Sequence, residues 1–392
     1  MKKTPFAAAA IAANVSLTLA MPAHADSYSV QTQTSSTSQK TSANRLSSFV
    51  PRTKDTGQKI DYSIWGYALK SIVVGLGPSL RSASGRPEGF TGTHFNRGHK
   101  SRLRMEGSRV AFSFFDEDLT ASLTEYREDL ERVGTQLDIA SLARNEQLAF
   151  WLNLHNVAVI EQIARNYPTI QPSRLKIDGV PMDEARFIEV AGIKLSPKDI
   201  RTGIVYPNWS DPRVIYGFFR GDIGSPLIQP EEFNTRNLDF LLGDNAQEFV
   251  NSLRGVEQRG KTLHVSKIYE EAAAFFFPDF QPDLYAHLAT HANYDVVKEI
   301  AKTDQIAATL SEPDIADLAR GQRQPYIANV TSTNRFDEPV MASTRIPPNI
   351  QRYIGERREK VERLERRGQR LWTIRVIPLD LPGQESSVPE ID

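Results

Sequence analysis

The 392-residue sequence contains no cysteine. That absence excludes a disulfide framework, thiolate zinc sites, iron–sulfur clusters, a cysteine nucleophile and a lipoprotein cleavage site. In an oxidising compartment it also removes any chance of mispaired thiols. Charge of one sign is missing too. Lys and Arg number 47 against 48 Asp and Glu, a net charge of −1, so no global field draws the chain toward nucleic acid or anionic lipid. A long unbroken apolar run is the third absence. The best stretch, from Pro5 to Met21, is interrupted by Asn14, Ser16 and Thr18 and is too short to span a bilayer stably.

What is present at the start reads as an export signal. Lys2 and Lys3 precede the Ala-rich stretch, and Ala23-His24-Ala25 forms a small-x-small cleavage site before Asp26. Residues 1–25 are therefore expected to be removed. The mature chain would be periplasmic or secreted, with no stable membrane span after processing. Residues 26–48 hold eight Ser and four Thr with few large aliphatics, which predicts a disordered tether over 26–56.

At 40% hydrophobic, the remainder can bury a sizeable core. A helical pattern opens at Ile64-Trp65-Gly66-Tyr67, and residues 116–133 read as an amphipathic helix. Residues 145–166 are apolar nearly all round, the mark of a buried central helix. Asp178-Gly179 and Ala191-Gly192 are hairpin turns. Ser196 caps a helix with Pro197 at its first position and Asp199 closing a capping box. Arg213–Arg220 reads as a strand, and helices follow over 236–253 and 266–277. The expected fold is α+β: one compact helix-rich domain over residues 57–305, with short antiparallel strand pairs around the central helix. Residues 306–392 are expected to form a linker, a basic solvated helix (349–371) and an acidic tail. That helix has eight Lys or Arg, four Glu and a thin apolar stripe of Ile354, Val361, Leu364 and Leu371. Solvation is preferred to an anion-binding arm.

Several motifs match by spelling. Gly255-Val256-Glu257-Gln258-Arg259-Gly260-Lys261-Thr262 satisfies the P-loop pattern, but a helical stretch precedes it and a strand-like one follows. The expectation is a basic surface loop. His287 and His291 share a helical face that could hold a metal, yet no third ligand is evident, so a surface helix and no metal site are expected. His94 and His99 lie in a Gly-rich basic loop. No cofactor is implied. More telling are Asn153 and Asn156, three apart inside the apolar helix. A buried amide needs partners, and the natural ones are backbone groups of the loop after Arg220.

Taken in order, Leu148-Ala149-Phe150-Trp151-Leu152-Asn153-Leu154-His155-Asn156-Val157, Leu195-Ser196-Pro197-Lys198-Asp199-Ile200, Asp211-Pro212-Arg213-Val214 and Val265-Ser266-Lys267-Ile268-Tyr269 carry a resemblance. Across roughly 61–300 the chain resembles the family catalogued as domain of unknown function 547. Members of that family commonly show a His in the strand and two Cys in the loop after it, which implies thiol-dependent chemistry. Here Ile215 stands for the His, and Arg220 and Ser225 for the two Cys, while Gly221 and Pro226 are kept. The replacements point away from an enzyme and toward a non-catalytic binding or envelope-associated domain. Its ligand would be a small anion or an envelope component, held in a cleft of Asn153, Asn156, Arg220 and Ser225. Arg220 would either offer its fork to an anion or pair with an acid such as Asp222. The alternative is a hydrolase using Ser225, with His155 or His264 as base.

Overall fold

A computed structural model of the chain describes residues 45–52, 55–85, 98–323 and 348–368, with a two-residue strand pair at Ala328–Asn329 and Ser343–Thr344. The expected signal peptide, most of the tether, His94 and the acidic tail lie outside the described residues.

The elements follow in chain order. Helix α1 (Ser63–Ile72) runs into strand β1 (Val73–Gly75), which pairs antiparallel with β2 (Ser108–Val110). Helix α2 (Glu117–Gln136) starts on Asp116, whose carboxylate accepts from Leu119 N at 2.8 Å. Helix α3 (Arg144–Arg165) is the centre of the molecule, and every residue from Asn145 to Ala164 is buried. Two hairpins follow: β3 (Lys176–Ile177) with β4 (Val180–Pro181), and β5 (Ile188–Val190) with β6 (Ile193–Leu195). Their turns fall at Asp178-Gly179 and Ala191-Gly192, all four residues at positive φ. The capping box is present in both directions: Asp199 N donates to Ser196 Oγ at 2.9 Å, and Ser196 N to Asp199 Oδ2 at 3.0 Å. It opens a π-helical stretch, Asp199–Val205, that continues as a turn of α-helix, Tyr206–Asn208.

Helices α4 (Leu238–Val250), α5 (Ile268–Phe276), α6 (Phe280–His291) and α7 (Tyr294–Ile300) complete the body with a three-stranded sheet. In it β7 (Val256–Arg259) and β8 (Thr262–Ser266) pair antiparallel, and β9 (Gln305–Leu310) adds to β8 in parallel. Helix α8 (Pro348–Arg366) closes the described chain. Among the described residues no helix is long and apolar enough to cross a membrane. The architecture is α+β around one buried helix, as the sequence predicts.

Four expectations are corrected. Residues 213–220 do not form a strand: Pro212–Gly217 is a 3-10 helix started by Asp211, whose side chain accepts from Arg213 N at 2.8 Å. The run Val214–Phe219 is buried on all sides, so its apolarity reflects depth rather than alternation. Described residues that fall within the expected tether pack on the body. Leu46 and Phe49 are buried, Phe49 meets Trp151 edge to face, and Arg52 N donates to Ala140 O at 2.8 Å. Nor does the body stop at 305. Residues 314–320 thread through it, with Ile315 N on Ile170 O and Ala316 N on Gly221 O, each at 2.8 Å.

Helix α8 is docked rather than solvated. Ile350, Tyr353 and Leu364 are buried, and Ile350 and Tyr353 pack with Leu76, Leu318 and Ala319, whereas Ile354 faces solvent. The stripe that counts is offset from the one read in the sequence, because Tyr353 and the stem of Lys360 supply part of it.

Candidate functional site

The amides of α3 behave as clamps. Asn156 Nδ2 donates to Gly217 O at 2.9 Å while its Oδ1 accepts from Phe219 N at 3.0 Å. Asn153 does the same to one residue: Nδ2 to Phe233 O at 2.7 Å, and Phe233 N to Oδ1 at 3.1 Å. Each amide satisfies an irregular segment's backbone, so neither presents its polar atoms to a cleft. Asn153 thus reaches the expected loop beyond Arg220, at Phe233, whereas Asn156 pins residues 217–219, which lie before it. Gly217 and Gly221 allow the approach. A Cβ on Gly217 would sit 2.6 Å from Leu152, and one on Gly221 (φ +88°) would sit 2.2 Å from Ile163.

Pinning the loop places Arg220 over a lattice of charge that the sequence did not reveal. Arg201, from the π-helical stretch, is wholly buried. Its Nη1 and Nη2 donate to the two oxygens of Asp183, both at 2.7 Å. Its Nε and Nη2 donate to Glu271 at 3.0 and 3.2 Å, and Nη1 also meets His155 Nε2 at 3.0 Å. All of the guanidinium's N–H groups are used. Glu271, on α5, accepts in addition the fork of Arg220, at 3.0 and 2.7 Å. The order is Asp183, Arg201, Glu271, Arg220: alternating charges with no excess.

The protonation states follow. Burial alone would raise Glu271, but Arg220 and Arg201 override it and hold the carboxyl at about 2. Asp183 is pressed down in the same way, burial opposing and Arg201 prevailing. Burial, and then Arg201, lowers His155 to about 3. Since an arginine can only donate, His155 Nε2 accepts from it. Its proton then sits on Nδ1, facing Asn156 Oδ1 at 3.2 Å. A lone pair directed at a guanidinium cannot take a proton from a nucleophile.

The remaining candidates do not converge. Ser225 is buried, donates to Asp222 O at 2.8 Å and accepts from Arg220 N at 3.3 Å, which is the bonding of a turn. His264 lies on β8, with Nδ1 2.6 Å from Thr309 Oγ1. Among the described residues no histidine bonds Ser225. Arg220 pairs with Glu271, not with Asp222. Ile215, read in the sequence as standing for a His, is sealed in the core. The expected cleft of Asn153, Asn156, Arg220 and Ser225 is thus two clamps, one ion-paired fork and one turn hydroxyl.

The P-loop spelling is a hairpin: Gly260 and Lys261 turn β7 into β8, and no helix follows them to receive a phosphate. His287 is not on a surface face. It is buried, with Nε2 2.7 Å from Tyr216 Oη, and its ring lies 5.1 Å from that of His291. Among the described residues no three His, Asp or Glu group together as a metal site. His99, too, is buried, bonded to Asp317 O. Sequence reasoning missed Asp183, Arg201 and Glu271. The available signal was a lone Arg among Ile200, Ile204 and Val205, a charge inside an otherwise apolar helix face.

Residues 139–250 match the model of the family described as Protein of unknown function, DUF547. The match spans the central helix, the capping box, the pinned loop, Arg201, Arg220 and Ser225, while Glu271 and the segment at 265–269 lie beyond it. No curated protein and no solved structure matches the chain.

Proposed function

We propose that this chain is an exported, non-catalytic binding domain of the cell envelope, with the Arg220–Glu271 ion pair at one of the positions where the resemblance implies a reactive cysteine. The observation that carries the reading is the saturation of Glu271. It receives two hydrogen bonds from Arg201 and two from Arg220, so neither the fork nor the carboxylate is left for chemistry. A small anion at Arg220 would have to displace Glu271 and would face Asp183 as well. The reading therefore favours an envelope component over a free anion as the partner. Export is supported by Lys2, Lys3, the apolar stretch and Ala23-His24-Ala25.

Two measurements test it. Terminal sequencing of the protein recovered from its native host should begin at Asp26; a full-length chain in the cytoplasmic fraction would sink the export half. Ester, amide and peptidoglycan-derived substrates should show no turnover. Turnover that disappears in Ser225→Ala would replace this reading by the serine hydrolase.

A further inference from the structure

A cavity of about 750 Å³ opens between residues 211–213, the Phe276-Phe277-Pro278 bend and helix α6. It shares no lining residue with the Arg220 lattice and stands apart from the function proposed above. His287 and His291, one turn apart on α6, both line it.

The bonding of His287 decides which of its nitrogens faces the cavity. Tyr216 Oη donates to Tyr269 Oη at 3.1 Å, so its one proton is committed there. The 2.7 Å contact between Tyr216 Oη and His287 Nε2 is therefore donated by the imidazole, which leaves the lone pair on Nδ1. That Nδ1 has no hydrogen-bond partner among the described residues, and it is not enclosed: it keeps accessible surface on the cavity side. His291 is half-buried, and neither of its ring nitrogens is hydrogen-bonded or sealed. The two ring centroids lie 5.1 Å apart.

Two unused lone pairs side by side call for an electron-poor ligand. An anion is poorly matched, because Arg213, the one arginine on the wall, is already held by Asp211 and Asp239. Asp211 and Asp283 also line the cavity, so carboxylates outnumber the guanidinium and a cation is tolerated. Magnesium and calcium take oxygen ligands, whereas imidazole suits zinc, nickel and copper. The spacing agrees. With metal–nitrogen bonds of about 2.0 Å, two imidazoles on one tetrahedral ion stand with their centroids about 5 Å apart. The hydrogen bond from His287 Nε2 to Tyr216 is the outer contact that fixes a ligand's tautomer. Among the described residues no third His, Asp or Glu completes a set of three, so solvent would fill the remaining positions. We propose that His287 and His291 chelate one divalent transition metal of the zinc, nickel or copper class, through imidazole nitrogens that face this cavity.

The test is titration calorimetry of the full chain, stripped of metal with EDTA, against zinc chloride, with magnesium chloride as the control. One zinc ion per chain should bind with micromolar affinity, and magnesium should not bind. His291→Ala, a change at a half-buried side chain that bonds nothing, should weaken zinc at least tenfold. Copper(II) gives a second readout: its electron paramagnetic resonance spectrum should show two coupled nitrogens in the unaltered chain and one fewer in His291→Ala. His287→Ala should weaken zinc to the same degree. If that variant fails to fold once Tyr216 loses its partner, calorimetry and the copper spectrum of His291→Ala decide the matter alone. Absence of zinc and copper binding at millimolar concentration overturns the proposal. So does a loss in His291→Ala smaller than tenfold, or equal binding of magnesium, which would point to Asp211 and Asp283 instead.

Discussion

Glu271 neutralises two arginines at once, one of them wholly buried. Replacing it with Gln keeps the shape but leaves the Arg220 fork unpaired and Arg201 with Asp183 alone. Breaking such a pair from one side costs about 3 kcal/mol, because the partner charge stays buried. Urea unfolding of Glu271→Gln should show a loss of that order, and a change below 1 kcal/mol would mean that the lattice is decorative. Gly221 can be tested in the same assay. An alanine there would hold a left-handed φ of +88° and press its Cβ to 2.2 Å from Ile163. Strain and overpacking together should cost about 2–4 kcal/mol. The amide clamps could be read from the sequence, since a polar residue inside an apolar helix must bond something. The lattice could not: Glu271 lies 70 residues from Arg201 and 51 from Arg220, and nothing local marks it apart from the adjacent Glu270.

At the scale of elements, both ends of the described chain pack against a body that their composition suggests they should leave alone. Leu46 and Phe49 sit within a Ser-rich stretch, yet two buried apolar side chains contribute about 3–6 kcal/mol before ordering costs. A truncation beginning at Gln58 should therefore melt several degrees lower, while one beginning at Arg45 should match the longer chain. Equal melting temperatures would show that the Phe49–Trp151 contact is dispensable. The charges of helix α8 conceal how it docks. Its docking uses Tyr353 Oη on Arg104 O (2.5 Å), Arg357 Nε on Gly75 O (2.8 Å) and the buried Lys360, groups that a count of apolar residues overlooks. Ending the chain after Arg323 should expose Leu76, Leu318 and Ala319 and lower stability measurably. Hydrogen exchange should then rise first at residues 75–77 and 104–107.

For the whole molecule, the buried titratable groups fix how stability depends on pH. Burial lowers His99, His155 and His287 from 6.5 to about 3, with Arg109, Arg201 and His291 as the next causes in turn. For these the unfolded chain binds more protons between 6.5 and about 3, so their contribution is complete above 6.5 and is lost as pH falls. Asp222 and Asp317 run the other way. Burial raises them from 3.8 to about 6, so the folded state holds the extra proton, and their contribution is lost as pH rises from 3.8 to about 6. Glu271, lowered from 4.5 to about 2, adds a loss on acidification between 4.5 and about 2. The midpoint of urea unfolding should therefore fall below pH 6.5, flatten between about 6 and 4 where the aspartates oppose the histidines, and fall steeply below. A single smooth decline with no shoulder would mean that Asp222 and Asp317 titrate normally.

The sequence alone determined what is settled within a few residues along the chain. Apolar residues on every side made 145–166 a buried helix. Asp-Gly and Ala-Gly set two hairpins, and Ser196 and Asp199 closed a capping box. It also determined that Asn153 and Asn156 must be partnered, and that no thiol chemistry is available. Tertiary structure decided where Asp211-Pro212 leads, because that dipeptide starts an Asx turn as readily as it precedes a strand and only burial on all sides chose the 3-10 helix. It decided that Arg220 is neutralised by Glu271 rather than offered to a ligand, and that residues near both ends pack on the body. The physical reason is range. Turn and cap energies act over three or four residues, whereas a buried charge takes whichever opposite charge the packing brings within hydrogen-bonding distance, however far away in sequence.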